Sequence, residues 1–377
     1  MVRRVMMIAG EPSGDMHGSG VVRELRALVP SVEVFGVGGD RMRNEGMELI
    51  EHISTVSFMG FVEVMKHLPT IRSVERKLEA LLHSKRPDVL VLIDYPGFNL
   101  RFARTARRAG IKILYYISPQ VWAWHKSRVK KMKGVIDKMK VVFPFEVEVY
   151  HKEGINVEFV GHPLVETIGS SLSREGFCNA HSLNAGRKVL ALLPGSRKQE
   201  VENILPTMLR AAATLVQSHG VQVAVGVAPA LGAAFIRQFI PHGAAVTLVE
   251  DGTHDLMAHA DAAIVTSGTA TLETGWFGTP MVVVYRTSAL TYLIGRLLVD
   301  VPHIGLVNIV AGKGVVPEFI QHEMNESNLV KAVGKILQDD GYAASMRSEL
   351  SLIKKKLGGP GASARVAKGI INLAEAA

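Results

Sequence analysis

Cysteine is almost absent from this chain of 377 residues, which contains only Cys178. A single cysteine excludes an internal disulfide framework and fits a reducing compartment. No window reaches the run of about 18 uninterrupted apolar residues that a membrane span requires. The first apolar run, residues 5–9, is too short for a secretion signal and is better explained as a first strand. We therefore expect a cytoplasmic protein that can still contact a membrane surface.

Several motifs of common enzyme classes are also missing. The dinucleotide fingerprint G-x-G-x-x-G does not follow the first apolar run, which disfavours a nicotinamide cofactor. The chain has no cysteine pair, no H-E-x-x-H and no D-x-D, the arrangements that commonly hold a metal ion. A G-x-S-x-G motif around a nucleophilic serine is missing too. We therefore expect neither a cofactor nor a metal ion.

Positive charge exceeds negative charge, with 43 Lys and Arg against 35 Asp and Glu and a net charge of +8. Such a balance suits anionic partners, which include phosphorylated ligands, an anionic lipid surface and nucleic acid. The densest basic segments are residues 125–133 and 101–112. Each of these segments fits a solvated helix face equally well.

Short apolar runs alternate with helical patterns along the whole chain. The runs are apolar throughout, which is typical of parallel strands covered on both faces. The chain is long enough for two cores, because 47% of its residues are hydrophobic. We predict an α/β protein with two Rossmann-like, doubly wound parallel-sheet domains facing a cleft that binds the ligand. The domains are predicted at 1–165 and 187–360, with a linker at 166–186 and a last helix, about 361–377, that can pack back on the first domain.

The predicted strands of the first domain are 5–9, 32–35, 89–93, 111–117, 139–143 and 157–160. Those of the second are 189–193, 221–227, 245–249, 262–265 and 281–285. After Pro317 the pattern predicts helices only, with a break at 358–361.

Two short polar segments follow apolar runs in the second half of the chain. Residues 193–197 read LPGSR, and residues 267–273 read SGTATLE. A strand that passes through a small-residue turn into a helix leaves backbone N–H groups that can bind an anion. Arg197 adds a cation that can contact two phosphate oxygens at once. The pair favours a nucleotide diphosphate site, although each turn alone fits an ordinary strand-to-helix connection.

Polar residues that are candidates for catalysis follow apolar runs in the first half of the chain. Glu11 and Ser13 lie in the segment 9–18, whose acceptors suit hydroxyl groups. Asp94 follows a later apolar run, where a carboxylate can take a proton from an attacking hydroxyl, so it is a candidate general base. The alternatives are local: Ser13 or Asp15 caps the next helix, and Asp94 caps a helix or pairs with a neighbouring arginine.

Two segments are rich in large apolar side chains. The tryptophans follow a predicted strand end and precede the basic segment, and indole rings stack on sugars or lie at membrane interfaces. The segment 57–68 fits either a buried core or a surface for acyl chains and the bilayer boundary. Candidate contacts to the acceptor or membrane are Phe58, Met59, Phe61, Trp122, Trp124, Lys126 and Arg128.

Together these segments resemble the lipid-A-disaccharide synthase family, which consists of inverting glycosyltransferases with the glycosyltransferase-B fold. The resemblance covers nearly the full length, and its specificity lies in the ordered set rather than in any one motif. The motifs are GEPSGD at 10–15, MGFVEV at 59–64, IDYPGFN at 93–99, SPQVWAW at 118–124, FVGH at 159–162, LPGSR at 193–197, SGTATLE at 267–273 and Asn308 within VNIVAG at 307–312.

The resemblance implies a reaction in which UDP-2,3-diacylglucosamine gives its sugar to the 6-hydroxyl of 2,3-diacylglucosamine 1-phosphate. The products are the β-1,6 disaccharide of lipid A and UDP. The resemblance also implies that Asp94 is the general base, with Glu11 and Ser13 in the acceptor-side loop. The implied UDP-binding residues are Gly195, Ser196, Arg197, Ser267, Gly268, Thr269, Ala270, Glu273 and Asn308.

The implied location is the cytoplasmic side of the inner membrane, in peripheral contact with its anionic surface and without a nucleic acid partner. A homodimer is left open.

The chain departs from the family at Gly97, where many members carry Asp, and at Val307, where many carry Pro. Two rival functions stay open: another UDP-sugar enzyme of this fold, such as an epimerase or a transferase with a different acceptor, and a non-enzymatic basic module that binds membrane or nucleic acid.

Overall fold

The computed structural model describes residues 2–56, 67–119, 127–287, 292 and 302–376, with the backbone alone at 127 and 128. The chain divides into two compact units. The first comprises Met1–Glu166 and Leu357–Ala377, and the second comprises Thr167–Lys356. No helix in the described ranges is long and apolar enough to cross a bilayer.

The first unit is built on a parallel sheet of seven strands in the order β3-β2-β1-β4-β5-β6-β7. Its central strands are buried on both faces, which explains why their sequences are apolar throughout. The strands are β1 (Arg4–Ala9), β2 (Glu33–Gly38), β3 (Glu48–His52), β4 (Val89–Ile93), β5 (Lys112–Tyr116), β6 (Lys138–Val141) and β7 (Val157–Phe159).

Helices connect these strands and cover the sheet. They are α1 (Pro12–Leu28), α2 (Asp40–Asn44), α3 (Leu68–Ser84), α4 (Pro96–Arg108), α5 (Ser127–Lys130), α6 (Pro144–His151) and α7 (Leu164–Thr167). The last helix of the chain, α16 (Ala362–Glu375), lies in this unit. It is held there by Ser363, whose N–H and hydroxyl donate to the Glu166 carboxylate, and by Arg365, which donates to the Val160 carbonyl.

The second unit contains a parallel sheet of six strands in the order β10-β9-β8-β11-β12-β13. The strands are β8 (Val189–Leu193), β9 (Gln222–Gly226), β10 (Val246–Val249), β11 (Ala262–Thr266), β12 (Met281–Tyr285) and β13 (Glu318–Ile320). The helices are α8 (Arg174–Ala180), α9 (Lys198–His219), α10 (Ala233–Arg237), α11 (Thr253–His259), α12 (Thr269–Phe277), α13 (Leu306–Ala311), α14 (Glu326–Gln338) and α15 (Asp340–Leu357). The strand order changes direction between β8 and β11, so this unit has a topological switch point there.

The prediction of parallel α/β architecture is confirmed, and the predicted strands at 89–93, 189–193 and 281–285 match the observed bounds. The prediction of helices only after Pro317 is wrong, because β13 follows directly and pairs with β12. Strand β3 was not predicted. The predicted linker segment contains α8 and part of α7.

Candidate active site

A cavity of about 400 Å³ lies at the carboxyl ends of β8 and β11 in the second unit. These strands are neighbours, with Val265 paired to Leu193, so the turns that follow them open at the same edge of the sheet. The lining residues are Leu193, Gly195, Ser196, Arg197, Glu200, Gly226, Ala228, Pro229, Thr253, His254, Met257, Thr266, Ser267, Gly268, Thr269, Ala270 and Glu273. Eight of the nine residues expected to bind UDP therefore surround one cavity at a topological switch point, where open α/β sheets bind ligands.

The first wall of the cavity is the turn between β8 and the 22-residue helix α9. Gly195 has a positive φ of 107°, a conformation that favours glycine, and the Glu200 carboxylate lies 2.5 Å from where a Cβ would stand. The Glu200 carboxylate accepts from the Ser196 N–H at 3.3 Å and from Arg197 Nη1 at 3.0 Å. An anion therefore already lies on these donors, which shows that the turn and guanidinium converge on one negative group.

The Arg197 guanidinium remains accessible, because 60% of its side chain is exposed. Arg197 is also the N-cap of α9, so it stands at the positive end of a long helix dipole. A diphosphate at this turn would compete with Glu200 for the same N–H groups and would benefit from the field of the helix.

The second wall is the turn between β11 and α12. Gly268 has a φ of 156° and is the N-cap of α12, while the Ser267 hydroxyl donates to the Ile304 carbonyl at 2.8 Å. Glu273 lies one turn into the helix, where burial raises the pKa of its carboxyl and the nearby His254 opposes that rise. Its position on the cavity wall and its acceptor oxygens suit the hydroxyl groups of a sugar.

Asn308 lies elsewhere in the second unit and is fully buried. Its Nδ2 donates to the Val316 carbonyl and to Glu318, both at 2.8 Å, and its Oδ1 accepts from the N–H groups of Val315 and Val316. Glu318 in turn accepts from the Ile304 N–H at 2.9 Å. Asn308 thus stabilises the segment around Ile304, whose carbonyl accepts the hydrogen bond from the Ser267 hydroxyl. A direct contact of Asn308 with UDP stays a prediction.

Asp94 follows β4 at the carboxyl edge of the sheet in the first unit. Its φ is 46° and that of Tyr95 is 48°, a left-handed conformation that costs about 1–3 kcal/mol per non-glycine residue. Side-chain hydrogen bonds help to hold the strained turn: the Asp94 carbonyl accepts from Asn99 at 2.7 Å and from the Tyr115 hydroxyl at 2.6 Å, and the Tyr95 hydroxyl donates to the Val56 carbonyl at 2.6 Å. Strain of this kind is concentrated at functional sites.

The electrostatics of Asp94 suit a proton acceptor. Burial raises the pKa of its carboxyl to about 6, the negative charge of Glu11 adds to the rise, and a hydrogen bond from the Tyr95 backbone opposes it. The proximity of Glu11 follows from the fold, because β1 and β4 are neighbours with Ala9 paired to Ile93. Gly10 allows the close approach of the two turns, since a Cβ there would meet the Tyr95 ring at 2.2 Å.

The loop residues around Glu11 have different roles. Glu11 is the N-cap of α1 and is half-buried, whereas Ser13 is exposed in the first turn of that helix. Asp15 is buried and accepts from the N–H groups of Gly39, Arg41 and Met42, so it caps α2 rather than the helix that contains it. The structure therefore brings Glu11 close to Asp94 and assigns Asp15 to the scaffold.

Gly97, where many family members carry Asp, is exposed on the first turn of α4. A Cβ at this position would meet no atom of the described residues within 4 Å. The space is therefore open to a side chain, and this chain places none there. The candidate contacts Phe58, Met59, Phe61, Trp122, Trp124 and Lys126 lie outside the described residues, as does the side chain of Arg128.

Sequence reasoning missed several residues of the cavity wall. Thr253, His254 and Met257 come from α11, Gly226 is the last residue of β9, and Ala228 follows that strand. Glu200 and Thr266 were also missed, although each lies next to a predicted motif. The one available signal was position, because all of these residues lie at or beyond the carboxyl ends of predicted strands. No group of three or more His, Cys, Asp or Glu in the described part of the chain is arranged to hold a metal ion.

The chain is similar to known proteins over its full length. The profile of the family described as Lipid-A-disaccharide synthetase matches residues 5–360. The Lipid-A-disaccharide synthase of Trichlorobacter lovleyi is 42% identical over 375 residues, which cover 99% of this chain and 98% of that protein.

Solved structures of lower identity share the fold. The glycotransferase of kitacinnamycin superposes with a TM-score of 0.66 at 15% identity, covering 98% of each chain. The UDP-GlcNAc 2-epimerase of Neisseria meningitidis gives a TM-score of 0.67 at 12% identity, covering 98% of this chain and 100% of its own. The expected glycosyltransferase-B type of fold is thereby confirmed. Because transferases and epimerases both adopt it, the family match, and not the fold, separates the two activities.

Proposed function

The chain belongs to the lipid-A-disaccharide synthetase family and is a glycosyltransferase of lipid A biosynthesis; from this premise we propose which substrates it joins and which residues carry the reaction. The donor is UDP-2,3-diacylglucosamine and the acceptor is 2,3-diacylglucosamine 1-phosphate. The products are the β-1,6-linked disaccharide 1-phosphate and UDP. The single observation that carries the residue assignment is the cavity wall shared by the turns at Ser196–Arg197 and Ser267–Ala270.

The second unit binds the UDP part of the donor. The Ser196 N–H, the Arg197 guanidinium and the N-terminal ends of α9 and α12 surround a cavity of about 400 Å³. Glu273 accepts hydrogen bonds from the ribose hydroxyls. As the glycosidic bond breaks, negative charge grows on the β-phosphate, and preorganised donors lower the energy of that state.

The first unit supplies the general base. Inversion of configuration requires one in-line displacement, in which the acceptor 6-hydroxyl attacks the anomeric carbon and loses its proton. Asp94 takes that proton, because its carboxyl has a pKa of about 6 and lies at the carboxyl edge of its sheet. Glu11 keeps the basicity of Asp94 high, and the exposed Ser13 hydroxyl binds the acceptor.

An assay of UDP release tests this proposal. Purified protein is incubated with UDP-2,3-diacylglucosamine, with and without 2,3-diacylglucosamine 1-phosphate. We expect UDP and a disaccharide 1-phosphate only when the acceptor is present. Conversion of the donor sugar without any acceptor would instead support an epimerase, and release of UDP with an unacylated acceptor alone would support a different transferase.

The raised pKa of the Asp94 carboxyl predicts that kcat/KM falls at low pH, which gives the pH profile an acidic limb. The proton acceptor must be ionised, so kcat/KM should fall about tenfold per pH unit below pH 6 and level off above it. Since the Glu11 charge raises the pKa of Asp94, Glu11→Gln should move the limb to lower pH. Glu24→Gln, a matched change on the outer part of α1, should leave the limb in place. A limb that ignores Glu11→Gln would contradict the assignment.

We further propose peripheral contact with an anionic membrane surface. Both substrates carry two acyl chains, and each buried CH₂ is worth about 0.8 kcal/mol, so the enzyme must meet them at the bilayer. The described basic residues that follow the candidate contacts Lys126 and Arg128 in sequence are Lys130, Lys131 and Lys133, all exposed. They can bind phosphate groups of lipids, at about 1 kcal/mol for each cation.

Flotation with phosphatidylglycerol vesicles measures this contact. Replacing Lys130 and Lys131 by Ser should weaken binding about 30-fold at low salt, from two cations at about 1 kcal/mol each. Replacing the equally exposed Lys331 and Lys355 of the second unit by Ser serves as the control and should have a smaller effect. Equal losses in the two variants would show that net charge, and not this surface, drives binding.

A further inference from the structure

Thr266, the last residue of β11, has a buried hydroxyl group without a partner among the residues that the structure describes. The residue is 3% exposed and lines the cavity of the second unit. Its Oγ1 makes no hydrogen bond to any residue that the structure describes. A buried hydroxyl loses its hydrogen bonds to water, so one that stays unpaired is unfavourable and is uncommon in folded proteins.

The neighbouring hydroxyl groups do not share this property. Ser267 donates to the Ile304 carbonyl, Thr271 to the Gly268 carbonyl and Thr274 to the Ala270 carbonyl, each at 2.8 Å. Each of these three side chains therefore has a backbone acceptor, which lies in the same turn or helix for Thr271 and Thr274 and in the segment before α13 for Ser267. Thr266 differs from them in lining the cavity with its donor unused.

The sheet register places Thr266 between the two turns of the cavity. Thr266 is paired with Val284 of β12 but lies one residue beyond Val265, the last residue of β11 paired with β8, so it lies beside the start of the turn that contains Ser196. Thr266 also directly precedes Ser267, the first residue of the other turn. Thr266 thus lies between the two turns whose residues line the cavity.

We propose that the Thr266 hydroxyl donates a hydrogen bond to a phosphoryl oxygen of the nucleoside diphosphate. This inference rests on the proposed function of the cavity and adds a binding residue to it. A phosphoryl oxygen is a charged acceptor, and hydrogen bonds to charged acceptors are the strong ones. Binding of the diphosphate supplies the partner that the described residues do not provide for this hydroxyl.

Calorimetric titration of three variants with UDP tests the proposal. Thr266→Val removes the hydroxyl and keeps the shape and the preference for a strand, so it should weaken UDP binding about tenfold, or 1.4 kcal/mol. Thr266→Ser restores the hydroxyl and should bind within about threefold of the parent protein. Thr274→Val makes the same change at a buried threonine outside the cavity lining and should leave UDP affinity unchanged.

Uridine lacks the diphosphate, so its affinity, measured by displacement, identifies the group that accepts the hydrogen bond. If the acceptor is a phosphoryl oxygen, Thr266→Val should not alter uridine affinity. An equal loss for uridine and UDP would overturn the proposal, as would unchanged UDP affinity in Thr266→Val. Failure of the parent protein to bind UDP would instead refute the proposed function of the cavity, so the two failures are distinguishable.

Discussion

Replacing Asp94 by Asn should slow sugar transfer by about 10²- to 10⁴-fold, the usual effect of losing a general base, while UDP affinity stays unchanged. Asn fits the same space and tolerates the left-handed backbone that Asp94 adopts, with φ of 46°. It can still accept the hydrogen bond from the Tyr95 backbone but cannot take a proton from the acceptor. Single-turnover rates together with UDP titration separate the two effects.

The same substitution should stabilise the fold at neutral pH. The pKa of the Asp94 carboxyl is raised from 3.8 to about 6, so the folded state binds the proton more tightly than the unfolded state does. Ionisation of Asp94 therefore opposes folding as pH rises from 4 to 6, by about 2–3 kcal/mol at pH 7. Asp94→Asn removes that cost, so its thermal midpoint should exceed the parent's at pH 7 and converge with it near pH 4.

Two outcomes would contradict the role of Asp94. One is collapse of UDP binding with normal turnover of whatever substrate still binds. The other is slower transfer accompanied by a lower thermal midpoint at pH 7, which would identify Asp94 as a structural residue of the strained turn. The control is Asp88→Asn, which changes a carboxylate at the opposite end of β4, where it accepts from the N–H groups of Arg3 and Arg4.

Replacing Arg197 by Ala should weaken UDP binding and also slow transfer from bound donor. Loss of one preorganised donor to the charge that develops in the transition state costs about 3–4 kcal/mol, which corresponds to a rate about 10²- to 10³-fold lower. Arg197→Lys keeps the charge but lacks the planar guanidinium that contacts two oxygens at once, so it should recover only part of the lost UDP affinity and transfer rate. Arg237→Ala removes an exposed arginine of the same unit from outside the cavity lining and should change neither quantity.

Loss of the hydrogen bond between Arg197 and Glu200 changes the expected size of the Arg197→Ala effect on UDP binding but not its direction. Its carboxylate accepts from both Arg197 and the Ser196 N–H. Without Arg197, this carboxylate has one partner fewer and repels an incoming diphosphate more strongly. Arg197→Ala combined with Glu200→Gln should therefore bind UDP better than Arg197→Ala alone. Unaltered UDP affinity in Arg197→Ala would contradict a phosphate-binding role.

The central part of each sheet was predictable from sequence because burial on both faces makes a strand apolar throughout. Strands β4, β8 and β12 are of this kind. The missed strands lie at the edges of the described sheets and are partly exposed: among the described strands, β3 pairs with β2 alone and β13 with β12 alone. Their sequences, ELIEH and EFI, are polar or short, so local pattern carries little information about them.

The two turns of the cavity were predictable for a related reason. A small-residue turn between a buried strand and a helix exposes N–H groups wherever it occurs, so LPGSR and SGTATLE carry their chemistry locally. Thr253 and His254 reach the cavity from a different connection, and only the strand order brings them there. The electrostatic effect of Glu11 on Asp94 likewise depends on the pairing of β1 with β4.

Asn308 illustrates the difference between resemblance and geometry. The resemblance predicts a contact with UDP, whereas the structure gives its amide four hydrogen bonds within the chain and full burial. Sequence reasoning had no means to distinguish an amide that binds a ligand from one that holds the segment beside Ser267. The hydrogen bonds to Val315, Val316 and Glu318 become visible only once β13 is placed.

A crystal structure of the protein soaked with UDP tests the central claim most directly. We expect density for the diphosphate between the two turns of the second unit, within hydrogen-bond distance of the Ser196 N–H and the Arg197 guanidinium, with the Glu200 carboxylate moved away from that N–H. Density for UDP at any other place, or a Glu200 carboxylate that keeps both donors while UDP is bound, would contradict it.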